Sequence, residues 1–156
     1  MGQAPALEEV TADVRSNTND QRADFHALGL AGCIDRLTAP LRQGGTSVRW
    51  ETPHHGIEIP ATTAALLYHS AEEILSNAFK YAQARQLTIR LAAVYHGIRL
   101  VITDNGIGFD VRSLDGAHHG FGLRLMGIAV HETGGTISVD SCPGRGTQVT
   151  ITLPLD

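Results

Sequence analysis

Apolar residues recur at helical spacing in three segments of the chain. The first covers residues 25–43 and ends before two glycines; its apolar positions are Leu30, Ile34, Leu37 and Leu41. The longest covers residues 61–84 and carries one apolar stripe, made of Leu67, Ala71, Ile74, Leu75, Ala78 and Ala82. A third covers residues 121–133 and also ends before two glycines. We predict a helix in each segment.

Alternating apolar and polar positions predict five strands, over residues 46–51, 87–91, 98–102, 136–141 and 147–153. Between the third and fourth strands, a long stretch rich in glycine, aspartate and histidine predicts a loop, and loops of that length in compact domains are usually functional or disordered. Strands with helices between some of them predict a sheet covered by helices on one face.

Composition narrows the class of protein. The 156 residues, 42% of them hydrophobic, suit one domain with one core, and a net charge of −4 gives no reason to expect a nucleic-acid partner. Cys33 and Cys142 form neither a disulfide framework nor a zinc motif, so we expect a cytoplasmic setting. No apolar run is long enough to span a membrane. Residues 1–24 are polar and predict a flexible or partly helical leader before a domain at 25–156.

The longest predicted helix carries the first candidate chemistry. Glu73, Asn77 and Lys80 fall within an arc of about 60° on the side opposite the apolar stripe. A carboxylate can accept a proton, an amide oxygen suits a hard cation such as Mg²⁺, and an ammonium suits phosphate oxygens. The alternative interpretation is an ordinary solvated helix face.

Two glycine-containing motifs follow strands. In the first, Asp104 ends a strand and precedes Gly106 and Gly108; such an aspartate can accept a hydrogen bond from an exocyclic amino group. In the second, residues 144–147 precede the last strand and end in Thr147, which could face a ligand. The alternative for both is a simple turn.

A third glycine motif opens the last predicted helix. Gly120 and Gly122 flank its start, followed by Leu123, and free amides at a helix N-terminus make a site for phosphates. Taken alone, this motif also fits a plain loop exit.

The order of these motifs resembles the GHKL ATPase superfamily, and most closely histidine kinases that signal to NarL-type response regulators. The stretch 71–82 is similar to the asparagine box of that group, although Glu72, Ser76 and Tyr81 stand where glutamine, a second asparagine and histidine are usual. The resemblance covers about residues 28–154. It implies an α+β fold, a two-layer sandwich (Bergerat fold) with a mixed, largely antiparallel five-stranded sheet.

The resemblance also implies site roles for ATP and Mg²⁺. Asn77 would ligate Mg²⁺, and Glu73 would be the general base or orienting carboxylate. Residues 110–120 would form a lid over the nucleotide. The remaining implied nucleotide contacts are Lys80, Gly120 and Gly122 at the phosphates, Asp104, Gly106, Gly108 and Thr147 around adenine, and Leu123.

A histidine kinase needs a phosphoacceptor histidine followed by an acidic residue. Only His131 has one, and it ends the helix behind the lid, so we expect the acceptor on a dimerisation domain outside this chain. Residues 25–43 resemble the segment after the dimerising helices, and a NarL-type regulator is the expected partner. The pairs His54-His55 and His118-His119 are interpreted as polar loop residues, so no transition-metal site is expected.

Two other functions remain open at this point. One is a GHKL serine kinase of the anti-sigma-factor type, which would be complete at about this length. The other is a degenerate nucleotide-binding module without catalysis. Glu73 and Asn77 argue against degeneracy, and the helical segment 25–43 argues against the serine kinase.

Overall fold

The structure is a computed structural model that describes residues 24–51, 58–111 and 120–155. The strands in these residues are β1 (Asp24–His26), β2 (Ser47–Trp50), β3 (Glu58–Pro60), β4 (Gln86–Val94), β5 (Gly97–Asp104), β6 (Thr136–Ser141) and β7 (Thr147–Pro154). The helices are α1 (Ala27–Arg36), α2 (Ala39–Gln43), α3 (Ala61–Asn77) and α4 (Gly120–Glu132), and a π-helical turn (Ala78–Ala82) continues α3.

The main sheet has five strands in the order β2-β4-β5-β7-β6. β2 runs parallel to β4, and the other neighbours are antiparallel. This confirms the predicted α+β fold with a mixed, largely antiparallel five-stranded sheet. β1 and β3 pair in a separate two-stranded sheet that the sequence did not predict, because three residues are too few to show a period of two.

One face of the sheet forms the core. Alternate residues of the three central strands are buried against the helices, namely Leu87, Ile89, Leu91, Ile98, Leu100, Ile102, Val149, Ile151 and Leu153. The predicted apolar stripe of α3 is buried against them, as is Val130 of α4. The opposite face carries polar side chains such as Arg90, Arg99 and Gln148. The apolar period of the strands therefore determines which face the helices cover.

Two predicted helices differ from the structure in detail. The segment 25–43 is divided into β1, α1 and α2, because a turn at Leu37 and Thr38 interrupts the helical path and Pro40 in the first turn of α2 has no N–H for a continuous helix. The predicted helix 61–84 is α-helical to Asn77 and then widens into the π-helical turn, which ends at Gln83 in a left-handed conformation.

Candidate functional site

An open cleft lies where α3, the π-helical turn, β5, β7 and α4 meet. Its walls are mainly apolar, with a few polar groups, which is typical of a small-molecule site. The lining residues are Ile74, Asn77, Ala78, Tyr81, Ala82, Ile102, Asp104, Gly108, Phe109, Leu123, Thr147 and Val149. Five of the predicted site residues therefore share one cleft.

Asp104 ends β5 and is 9% exposed. One of its carboxylate oxygens accepts the N–H of Gly106 at 2.8 Å, and the carboxylate also accepts the backbone N–H of Thr147. Burial raises the pKa of Asp104 above its usual value of 3.8, while these two N–H groups act in the opposite direction. The side chain is thus a buried acceptor fixed at the floor of the cleft.

Gly108 follows β5 and packs closely against the backbone of the hairpin between β6 and β7. Its φ of +68° is unfavourable for residues with a Cβ, and a Cβ there would overlap the carbonyl oxygen of Cys142. Gly106 lies against the carbonyl of Ala82 on the other side. The two predicted glycines therefore permit the close packing that surrounds Asp104.

Glu73 and Gly122 bring α3 and the first turn of α4 into contact. A Cβ on Gly122 would overlap the carboxylate of Glu73, so the carboxylate lies directly against the backbone of α4. The first four N–H groups of a helix have no partners within it and carry partial positive charge. Gly120, the first residue of α4, lies in the same turn. The structure thus places a carboxylate beside a helix N-terminus at the edge of the cleft.

Asn77 is half-buried at the last α-helical position before the π-helical turn. Its Nδ2 is buried and has no hydrogen-bond partner among the residues that the structure describes. An amide in this state fits a ligand that supplies an acceptor for the nitrogen, and its oxygen suits a hard cation. Lys80 lies exposed on the π-helical turn and is not one of the described residues that line the cleft.

Several lining or supporting residues were missed by the sequence prediction. Tyr81 lies four residues after Asn77, and this helical spacing was an available signal. Phe109 and Ser141 gave no local signal, because their contact joins segments 32 residues apart. Asn105 has a structural role: its Oδ1 accepts the N–H groups of Arg85 and Gln86 at 3.0 and 2.9 Å, which ties the end of β5 to the start of β4.

Some predictions fall outside the described residues. These are the leader up to residue 23, the pairs His54-His55 and His118-His119, and most of the predicted lid. Among the described residues, no group of three or more His, Cys, Asp or Glu side chains could hold a metal ion. Within the same ranges, no helix has both the length and the apolar composition needed to cross a bilayer.

Comparison with known proteins places the chain in a family. The pattern of the histidine kinase-, DNA gyrase B- and HSP90-like ATPases matches residues 62–156, more than half of the chain. An uncharacterized sensor-like histidine kinase of Chloroflexus aurantiacus is 30% identical over 128 residues, which cover 79% of this chain and 21% of the relative. The signal transduction histidine-protein kinase/phosphatase DegS of Bacillus subtilis is 34% identical over 90 residues, or 57% of this chain and 23% of DegS.

Among solved structures, the Acinetobacter baumannii histidine kinase AdeS has the same fold, with a TM-score of 0.69 at 18% identity over 95% of this chain and 76% of that one. The chain spans about a fifth of the length of the two relatives named above.

Proposed function

The chain belongs to the histidine kinase-, DNA gyrase B- and HSP90-like ATPase family as an ATP-binding catalytic domain of the histidine kinase type, and we propose that it binds Mg-ATP in the cleft and transfers the γ-phosphoryl group to a histidine on a separate dimerisation domain. The observation that carries this proposal is the placement of Asn77 and Asp104 in one apolar cleft, with Glu73 and the first turn of α4 at its edge.

The base of the nucleotide is assigned to the end of the cleft that holds Asp104. The carboxylate is an acceptor in a buried site, which suits the exocyclic amino group of adenine. Ile74, Ala78 and Val149 supply the apolar walls that a flat base needs. Gly106 and Gly108 shape this end through their close packing.

The phosphates are assigned to the end formed by Asn77, Glu73 and the first turn of α4. The backbone N–H groups of that turn, at Gly120 and Gly122, point toward the N-terminal end of the helix and suit phosphate oxygens. The Asn77 side chain would hold Mg²⁺, which neutralises phosphate charge when bound. Glu73 would orient the attacking imidazole or accept its proton. The exposed Lys80, three residues after Asn77, would contribute long-range attraction for the phosphates.

The proposed reaction would be one step of a phosphoryl relay between proteins. We propose that residues 25–156 form the catalytic unit, that residues 110–120 close over the nucleotide, and that the phosphoryl group passes from the acceptor histidine to an aspartate of a NarL-type response regulator in the cytoplasm. The relatives above, one named a sensor-like histidine kinase and the other a signal transduction histidine-protein kinase/phosphatase, support this relay.

Calorimetric titration of the purified chain with ATP, with and without Mg²⁺, tests the binding site. We expect saturable binding that is stronger with Mg²⁺, loses its Mg²⁺ dependence in Asn77→Ala, and weakens in Asp104→Asn. Asp140→Asn is the matched control, because it removes a carboxylate charge from an exposed position on β6. Equal affinity of all variants for ATP would refute the site assignment.

The chemistry of the product tests the acceptor. Phosphohistidine is acid-labile and phosphoserine is acid-stable, so a labelled acceptor protein that keeps its phosphate in acid would favour the serine kinase. Tight ATP binding without transfer to any acceptor histidine would favour a non-catalytic module.

A further inference from the structure

Ser141, the last residue of β6, lies outside the set of cleft-lining residues but contacts two of them. Its hydroxyl oxygen accepts the backbone N–H of Phe109 at 2.9 Å. The same oxygen lies 3.0 Å from the carbonyl oxygen of Gly146 and 2.8 Å from the hydroxyl oxygen of Thr147. One hydroxyl therefore joins the segment after β5 to the hairpin between β6 and β7.

The proton positions in this cluster follow from counting donors and acceptors. A serine hydroxyl has one hydrogen to donate and two lone pairs to accept with. If Ser141 donates to the carbonyl of the buried residue Gly146, its lone pairs receive the Phe109 N–H and the Thr147 hydroxyl hydrogen. If Ser141 donated to Thr147 instead, the Gly146 carbonyl would lose this hydrogen bond, which is costly in a buried place. The first arrangement satisfies every group.

This arrangement fixes the chemistry of Thr147. With its hydrogen directed to Ser141, the Thr147 hydroxyl presents only lone pairs to the cleft that it lines. Asp104 is its neighbour in the register of β5 and β7 and is also an acceptor. The polar floor of the cleft therefore accepts hydrogen bonds and offers no side-chain donor from these two residues.

We propose that Ser141 is a positioning residue for base specificity: by holding Thr147 as an acceptor, it makes the cleft select a purine with an amino group at position 6 over one with a carbonyl there. This inference rests on the proposed binding of ATP. A carbonyl at position 6 would face two acceptors and would find no hydrogen to receive, and an unmatched buried polar group is costly. Without Ser141, the Thr147 hydroxyl can rotate and donate to such a carbonyl.

The test compares ATP with inosine triphosphate, which has the same ribose and triphosphate but a carbonyl at position 6 and a proton on N1. Calorimetry would give both affinities for the wild-type chain, Ser141→Ala and Ser141→Thr. We expect the ATP preference of the wild type to fall by about two- to tenfold in Ser141→Ala, the range of one neutral hydrogen bond. Ser141→Thr retains the hydroxyl and should retain the preference.

Thr147→Val provides an independent variant, because it removes the hydroxyl and keeps the shape of the side chain. It should lower the preference for ATP by itself, and Ser141→Ala added to it should cause no further change. An equal loss of affinity for both nucleotides in Ser141→Ala would mean a merely structural role and would overturn the inference. Absence of ATP binding by the wild type would overturn the proposed function as well, so the two failures are distinguishable.

Discussion

At the scale of one residue, Asp104 shows that a side chain suited to ligand binding can lower the stability of the fold. Its carboxylate is buried, and burial raises its pKa because the charged form loses hydration. Two backbone N–H groups offset part of that loss. A carboxylate at this position therefore lowers the free energy of unfolding relative to a neutral side chain. Its proposed function is to accept a hydrogen bond from the base.

This cost predicts a pH dependence. A carboxyl group whose pKa is raised in the folded state contributes stability that is present below the unfolded pKa and is lost as the pH rises through the folded pKa. As the pH rises above the usual pKa of 3.8, the free energy of unfolding of the wild type should therefore fall relative to that of Asp104→Asn. Urea titrations at several pH values measure this difference. A difference between the two proteins that stays constant with pH would contradict the prediction.

Gly122 provides a second prediction at this scale. Replacing glycine by alanine inside a helix normally stabilises by about 1 kcal/mol. Gly127→Ala should show this gain, because the added methyl would lie 3.6 Å from Ile137, an ordinary contact. Gly122→Ala should show little of this gain, since its methyl would displace the Glu73 carboxylate, which is the far end of a flexible side chain. Denaturant titrations compare the two variants. In the Glu73→Ala background, Gly122→Ala should show the full gain, and an equally small gain in both backgrounds would argue against this contact.

At the scale of one element, the π-helical turn after α3 shows which structural features can be predicted from the sequence and which cannot. Apolar spacing continues through Ala78 and Ala82, so a continuous helix was the natural prediction. In the structure, the carbonyl of Ala82 accepts the N–H of Ile107 at 2.8 Å. The turn is therefore bonded to the segment after β5, and no local pattern encodes a partner 25 residues away.

The difference between local patterns and distant contacts also explains which site residues were predicted from the sequence. Asn77 and Asp104 were predicted because each belongs to a motif within one element, and the strands were predicted because alternation is local. Ser141 was not predicted, since its role depends on the register between β6 and β7 and on the approach of Phe109. The period of the apolar residues defines which face of a helix or strand is buried, whereas hydrogen bonds between distant segments depend on tertiary packing.

The end of the π-helical turn predicts a stabilising substitution. Gln83 has φ 54° and ψ 42°, a left-handed conformation that costs a residue with a Cβ about 1 kcal/mol. Gln83→Gly should therefore raise the free energy of unfolding. Arg85→Gly is the control at a nearby exposed residue without a positive φ, and it should be destabilising. Urea titration measures both, and equal effects would show that the backbone of Gln83 is not strained.

At the scale of the whole molecule, the cleft is built from segments distributed over most of the described chain. A ligand that binds only this assembled cleft stabilises all the segments together. At an ATP concentration of 100 times the dissociation constant, the free energy of unfolding should rise by about 2.7 kcal/mol. Thermal or denaturant unfolding with Mg-ATP measures the gain. Removing Mg²⁺ with a chelator or introducing Asn77→Ala should reduce it, and an unchanged gain would place the ligand elsewhere.

The pairing of β5 with β7 has a consequence for folding kinetics. β4 and β5 are joined by a tight turn, as are β6 and β7 by a short one, so each hairpin closes a small loop. Asp104 and Thr147 meet only when the two hairpins join, across 43 residues of chain. Because contacts between distant parts of a chain form slowly, we expect closure of that long loop to be the slower step, and the cleft forms only with it. Bound ATP should therefore slow unfolding and leave the rate of folding unchanged, so nucleotide supply sets how long a folded copy of the domain survives.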